Sequence, residues 1–156
     1  YIFKFKLQCY SMRVLLQKVK SARVSVDDTI VGECGKGLCL FIGISNEFEE
    51  SKLDWMVNKI LKLRCFSKEN WGFDLNIQDI EGEILVVSQF TLHGRVHKGA
   101  KPDFSKSMNA QDAKLVYEKF IQKLQERGLQ VQSGEFGAMM EVSIVNDGPF
   151  TLMIEK

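Results

Sequence analysis

Two short polar segments interrupt apolar runs in this sequence and carry side chains suited to chemistry. The first, SQFT, places Ser88, Gln89 and Thr91 at the end of an apolar run. A hydroxyl group there could act as a nucleophile in acyl transfer if a general base lay within hydrogen-bond distance. His93 is close in sequence, but there is no G-x-S-x-G nucleophile elbow. From these residues alone, a strand end with satisfied polar groups is the simpler interpretation.

The second segment, NDGP, lies between two apolar runs near the C-terminus. It comprises Asn146, Asp147, Gly148 and Pro149. Proline has no N–H group to donate to a strand ladder, so its presence inside a strand-like region calls for an explanation. The four residue types are typical of a tight turn, which is the interpretation that the segment alone favours.

A third candidate site is a metal centre. His93 and His97 have H-x-x-x-H spacing, and Asp103 could supply a third ligand. That spacing places two imidazoles on one face only in a helix, and Gly94 and Gly99 argue against a helix here. Two solvent-exposed loop histidines are therefore expected, and a zinc hydrolase stays as an alternative.

The four cysteines, Cys9, Cys34, Cys39 and Cys65, form no C-x-x-C pair. Two of them lie in or beside apolar, strand-like runs. They are interpreted as buried thiols in a reducing compartment, with a disulfide or a metal site as alternatives.

The net charge is +1, so overall charge does not predict a polyanionic partner. A local basic segment exists between residues 93 and 109, which has two glycines and Pro102 and is predicted to be a loop. Its cations are candidates for phosphate contacts: Arg95, Lys98, Lys101 and Lys106.

These segments belong to a single predicted domain over residues 12–156, preceded by an extension or cloning remnant at residues 1–11. Apolar spacing predicts helices over residues 48–66 and 110–128. Alternating or β-branched runs predict strands at residues 12–19, 22–26, 29–44, 82–92, 129–134, 139–145 and 150–155, with hairpin glycines inside the third. Two helices against predominantly antiparallel strands make an α+β domain. No apolar stretch approaches the length of a membrane span.

The motifs occur together in one known family. MRVLLQKV at 12–19, SQFTL at 88–92, KGAKPDF at 98–104 and NDGPFT at 146–151 stand in the expected order and spacing. From Met12 to its C-terminus the chain resembles the D-aminoacyl-tRNA deacylases, proofreading enzymes that cleave D-amino acids from tRNA. The resemblance implies a cytoplasmic homodimer with a barrel-like, mainly antiparallel sheet and two main helices. It also implies aminoacyl-tRNA as the partner, and no cofactor, metal or membrane.

The resemblance further implies a site. The Gly148–Pro149 bond would be cis and would project into the active site of the dimer partner, where it rejects L-aminoacyl esters. The remaining residues fall into three groups: Ser88, Gln89, Phe90 and Thr91 around the ester; Phe136, Gly137, Ala138 and Met140 around the adenine; and Gln17, Lys18, Asn146 and Asp147 as support for the Gly-Pro segment. Hydrolysis would be assisted by the 2′-hydroxyl of the tRNA, and glycyl-tRNA would partly evade the filter.

The chain departs from the family pattern at two positions. Lys18 stands where the family usually has arginine, so a planar fork of donors is replaced by a single ammonium. Phe150 stands where valine is common. A dimer that binds nucleic acid through the basic loop without catalysis is the main alternative function.

Overall fold

The structure is a computed structural model and describes residues 10–96 and 99–156. Within these residues, none of the helices is long and apolar enough to cross a membrane. The elements in chain order are β1 (Met12–Val26), β2 (Thr29–Cys34), β3 (Gly37–Ile44), α1 (Glu50–Lys62), β4 (Glu83–Ser88), a 3₁₀ helix (Phe90–His93), α2 (Ala110–Gln125), β5 (Gln130–Ser133) and β6 (Glu141–Glu155).

The six strands form one sheet organised around β1. Antiparallel pairing joins β1 to β2, β3 and β6, whereas β3–β4 and β4–β5 are parallel. The sheet curls, so that β2 approaches β5 at the far end of the strand order. The Glu33 N–H donates to the Gln132 side chain at 2.9 Å. These contacts confirm the α+β fold with a barrel-like sheet.

Three regions differ from the predictions in how they are divided into strands. β1 is continuous where two strands were predicted, because it changes partners along one edge. Its pairing with β3 runs as far as Val19, opposite Gly37, and its pairing with β2 starts at Ala22, opposite Cys34. The run at 29–44 is divided into β2 and β3 by the turn at residues 35–36. β6 is also continuous, although two strands separated by a tight turn were predicted.

Both predicted helices are present, and their apolar faces pack into the main core. α1 buries Leu53, Met56, Val57, Ile60 and Leu61, as its spacing predicts. α2 begins after Asn109, whose side chain accepts the Asp112 N–H at 3.0 Å and caps the helix. The two helices lie side by side, with Lys119 Nζ 3.2 Å from the Glu50 carboxylate.

The three cysteines in the described residues are free and buried, as expected. Burial raises the pKa of Cys34 to about 11, and that of Cys39 and of Cys65 to about 12. The thiolate fraction at neutral pH is therefore small, which makes these thiols poor nucleophiles. Cys9 lies outside the described residues.

Candidate active site

The SQFT segment leaves the sheet at the end of β4. The strand was predicted to run to residue 92, but it ends at Ser88, and the Gln89 N–H donates to the Ile42 carbonyl at 2.7 Å. Phe90 to His93 then form one turn of 3₁₀ helix. This turn folds back over β3 and exposes the side chains of Phe90 and Thr91.

Gly43 on β3 permits this close approach. A Cβ atom at position 43 would lie 2.9 Å from Leu92 Cβ and 3.0 Å from both the Gln89 carbonyl oxygen and His93 Cδ2. Such distances are shorter than ordinary van der Waals contacts. The absence of a side chain at Gly43 therefore decides how closely the 3₁₀ helix packs on the sheet.

His93 is buried beneath the turn, so the prediction of a solvent-exposed histidine is wrong. Only 5% of its surface is exposed, because the 3₁₀ helix packs it against β3. Burial lowers its pKa, and the nearby Arg13 cation adds to this effect. The imidazole is accordingly neutral at pH 7, and its Nε2 has no hydrogen-bond partner among the described residues.

A cavity of about 320 Å³ opens beside the turn. It brings together two segments that the sequence analysis assigned to one site: Ser88, Gln89 and Phe90 on one side, and Phe136 and Gly137 on the other. The rest of its wall is largely apolar and comes from β3, α2 and the residues before α2: Ile42, Ile44, Met108, Ala110, Ala113 and Tyr117.

The ring of Phe136 packs against Tyr117 of α2. The two rings pack with centroids 5.5 Å apart, and the Tyr117 hydroxyl donates to the Val86 carbonyl at 2.8 Å. Sequence reasoning missed Tyr117, because it lies on the buried stripe of α2 and has the spacing of a core residue. The hydrogen-bonding capacity of its hydroxyl was the available signal.

Two of the four residues expected around the adenine are not part of this cavity wall. Ala138 is not among the lining residues. Met140 packs against a second apolar cluster that contains Val19 and Val24, and its sulfur lies close to Gly134.

Thr91 lacks the neighbour that a nucleophile needs. Its hydroxyl oxygen accepts a hydrogen bond from the Gln89 side-chain amide. In the described part of the chain, no imidazole or carboxylate forms a hydrogen bond with Thr91. An amide cannot act as a general base, so the arrangement does not activate the hydroxyl.

The NDGP segment is a large bulge inside β6. Gln17 pairs with Thr151 and Val19 pairs with Asn146, so residues 147–150 all stand opposite the single residue Lys18. A bulge releases its residues from the ladder, which explains how a proline is accommodated in a strand. The Gly148–Pro149 peptide bond is cis, and both residues are exposed.

Residues of β1 hold the base of this bulge. The Thr151 hydroxyl donates to Gln17 Oε1. Lys18 Nζ lies 3.3 Å from Asp147 Oδ2 and 5.9 Å from the centroid of the Phe66 ring. Gln17 and Lys18 therefore contact the segment that they were predicted to support, within one chain. Phe150 packs against the core behind the bulge.

The bulge and the cavity lie far apart along the sheet. Lys18 is in register with Leu38, whereas Ser88 is in register with Ile42. Along the strand direction the two positions are four residues apart, which is about 13 Å. Across the sheet, three strand spacings separate β6 from β4, which is about 14 Å. Within one protomer, the bulge does not reach the cavity along this path.

Two cations of the basic loop form ion pairs, one within the loop and one with the segment before α1. Arg95 Nη2 lies 2.5 Å from Asp103 Oδ2 and also donates to Ser105 Oγ, and Lys106 Nζ lies 2.7 Å from Glu47 Oε1. These contacts weaken the case for Arg95 and Lys106 as phosphate ligands. Lys101 is exposed. Lys98 lies outside the described residues.

The metal alternative finds little support in the same loop. Hydrogen bonds from Ser105, and then the one from Arg95, lower the pKa of Asp103 to about 2, so this carboxylate already has partners. In residues 10–96 and 99–156, no group of three or more His, Cys, Asp or Glu side chains could hold a metal ion. His97 lies outside those ranges.

Comparisons with known proteins agree on one family. The family model for D-Tyr-tRNA(Tyr) deacylase matches residues 15–155. A D-aminoacyl-tRNA deacylase of Rippkaea orientalis is 48% identical over 147 residues, covering 93% of this chain and 100% of the relative. One from an Exiguobacterium species is 47% identical over 145 residues, covering 93% of this chain and 99% of the relative.

Two solved structures share the fold. A c-Myc DNA unwinding element binding protein superposes with a TM-score of 0.86 at 38% identity, covering 92% of this chain and 98% of its own. A probable eukaryotic D-amino acid tRNA deacylase superposes with a TM-score of 0.83 at 22% identity, covering 93% and 99%. The second likeness concerns the fold alone.

Proposed function

The chain belongs to the D-Tyr-tRNA(Tyr) deacylase family, and from this premise we propose that two protomers assemble each of its active sites. The activity is hydrolysis of the ester bond between a D-amino acid and tRNA, a proofreading step that we place in the cytoplasm. In the proposed homodimer, the cavity of one protomer binds the 3′-terminal adenosine and the ester. The Gly148–Pro149 bulge of a second copy completes the site.

The observation that carries this proposal is the meeting of the SQFT segment with Phe136 and Gly137 around one cavity. An aromatic ring beside an open apolar space suits a nucleic-acid base, which stacks on it. In this arrangement Phe136 contacts the adenine. Ser88, Gln89 and Thr91 then lie on the side where the ester is attached.

The chemistry is assigned mainly to the RNA. Because no general base in the described part of the chain accompanies Thr91, the 2′-hydroxyl of the terminal ribose is the group that assists attack on the ester. The protein holds the reacting groups in place. Backbone N–H groups at the start of the 3₁₀ helix lack intrahelical acceptors and would stabilise the oxyanion. This mechanism needs no metal ion.

Selection of the D-enantiomer is assigned to the bulge of the partner subunit. Gly148 and Pro149 are exposed and are too far along the sheet from the cavity of their own protomer. Placed against the cavity of a second copy, their backbone would occupy the space that an L side chain requires, and a clash of this kind rejects the wrong substrate. Glycyl esters have no side chain and would partly escape the rejection.

Lys18 is expected to hold the bulge in position, since it forms an ion pair with Asp147. Lys18→Arg should leave the deacylation rate unchanged or higher, because arginine keeps the charge and adds donors. Lys18→Met should reduce the preference for D over L esters. The loss of stability should stay below about 1 kcal/mol, since the pair is partly exposed. Rates on D-Tyr-tRNA and L-Tyr-tRNA and a denaturant titration measure both effects.

The control for Lys18 is Lys123→Met, which removes an ion pair with Asp54 on the helices, away from the bulge. It should change neither rate. A large loss of activity in Lys18→Arg would contradict the assigned role of position 18.

A non-catalytic nucleic-acid-binding function is the second candidate. It is favoured by the 38% identical structure whose name describes a DNA unwinding element binding protein. In that case the protein would bind tRNA but leave the half-life of the ester unchanged.

A deacylation time course separates the two candidates. Wild-type protein should accelerate the release of D-tyrosine from D-Tyr-tRNA, and EDTA should not alter the rate. A half-life equal to that of the buffer control would favour the binding function. Loss of the acceleration with EDTA, restored by zinc, would revive the metal alternative.

A further inference from the structure

Arg13 on β1 connects the 3₁₀ helix of the candidate site to the C-terminal strand. Its Nη1 donates to the Leu92 carbonyl at 2.7 Å. Its Nε lies 2.8 Å from Glu155 Oε1. The guanidinium thus donates a hydrogen bond to a backbone carbonyl of the turn and forms an ion pair with a carboxylate of β6. The contact with Glu155 is electrostatic, since Nε forms no hydrogen bond within the described residues.

The position of Arg13 in the sheet explains this geometry. On one side Arg13 pairs with Gly43 of β3, on which the 3₁₀ helix rests, and on the other it pairs with Glu155 of β6. Residues of three adjacent strands, β3, β1 and β6, therefore meet beneath the turn. The hydrogen bond to Leu92 is charge-assisted, and such bonds are shorter and stronger than neutral ones.

Besides its packing on β3, the 3₁₀ helix is attached by two further hydrogen bonds at its N-terminal end. The Gln89 N–H is bonded to Ile42 before the helix begins, and the Ser107 hydroxyl donates to the Phe90 carbonyl at 3.0 Å. Arg13 holds the opposite end of the same turn. Between these two attachments lies Thr91, on the segment that faces the ester in the proposed function.

We propose that Arg13 is a positioning residue for deacylation, which acts through the Leu92 carbonyl to fix the turn that contains Thr91 and presents Phe90 at the cavity. Glu155 orients the guanidinium, and Gly43 provides the space in which the turn is held. The role in catalysis rests on the proposed function. The attachment of the turn does not, because it consists of contacts within the unliganded chain.

Steady-state kinetics on D-Tyr-tRNA test the catalytic part. Arg13→Met should lower kcat by about 10- to 100-fold, the range expected for a misplaced site, with KM changed by less than about twofold. Arg13→Lys should recover part of the loss, and Glu155→Gln should lose less than Arg13→Met. Lys123→Met serves as the control and should match the wild type.

The contrasting result is a lower unfolding temperature with kcat unchanged, which would make Arg13 merely structural and overturn the proposal. If Arg13→Met does not fold, Arg13→Lys and Glu155→Gln decide the question. Wild-type kcat in both of them would count against the proposal.

Amide hydrogen exchange of the unliganded protein separates this inference from the proposed function. Arg13→Met should accelerate exchange at residues 90–94 and leave α1 unchanged. Unchanged protection at residues 90–94 would overturn the positioning role. If the wild type has no deacylase activity but the variant shows faster exchange there, the proposed function fails while the attachment of the turn by Arg13 stands.

Discussion

Replacing Gly43 with alanine is expected to reduce kcat/KM on D-Tyr-tRNA by at least about tenfold, since displacing reacting groups by about 1 Å costs up to about 100-fold. The new methyl group would meet Leu92 Cβ at 2.9 Å and the Gln89 carbonyl oxygen at 3.0 Å. Both of these neighbours are backbone or Cβ atoms, so the 3₁₀ helix must move away from the sheet. The change should also cost about 1–3 kcal/mol of stability through overpacking.

The matched control for Gly43 is Gly35→Ala in the turn between β2 and β3. A Cβ atom there would have its nearest neighbour at 3.5 Å, an ordinary contact with the Glu83 carboxylate. Gly35→Ala should retain wild-type kinetics. Wild-type kinetics in Gly43→Ala would show that the turn tolerates displacement and that its packing on β3 does not set the activity.

Phe136→Ala is expected to raise the KM for D-aminoacyl-tRNA by about 5- to 150-fold, because stacking of one base on an aromatic ring contributes about 1–3 kcal/mol. The ring lines the cavity and packs on Tyr117, so its removal also leaves a void. Phe136→Leu separates the two effects, since leucine refills part of the volume but has no aromatic face. Measuring KM and the unfolding temperature for both variants distinguishes stacking from packing.

The control for Phe136 is Met139→Ala, which removes a side chain that is 92% exposed and three residues away. Its KM should equal that of the wild type. If Phe136→Leu also had a wild-type KM, the adenine would not stack at this position, and the assignment of the cavity to the terminal adenosine would be wrong.

Local patterns in the sequence predicted the elements that depend on local interactions. The helical spacing of Leu53, Met56 and Ile60 identified α1, because the buried residues of an amphipathic helix recur in the sequence at the helical period. The boundaries of β1 and β6 were less accessible. Their continuity depends on partners that are distant in the sequence, and a bulge opposite Lys18 resembles a turn when only one strand is considered.

The candidate site was predicted as two separate segments, and only the resemblance placed SQFT and Phe136 together. Neither the local sequence pattern nor the resemblance predicted the burial of His93. It depends on the missing side chain of Gly43, fifty residues earlier, and on a 3₁₀ helix where the apolar pattern indicated a strand. Tyr117 was missed because its spacing on α2 is that of a core residue. The sequence pattern does not show that its hydroxyl donates a hydrogen bond to the Val86 carbonyl.

The most direct measurement is the ratio of the rates at which the wild-type protein deacylates D-Tyr-tRNA and L-Tyr-tRNA. Both esters are prepared on the same tRNA. The account predicts rapid hydrolysis of the D ester, while the L ester decays at the rate of the buffer control. Equal acceleration of both esters would contradict the chiral selection assigned to Gly148 and Pro149, and acceleration of neither would contradict the proposed function as a whole.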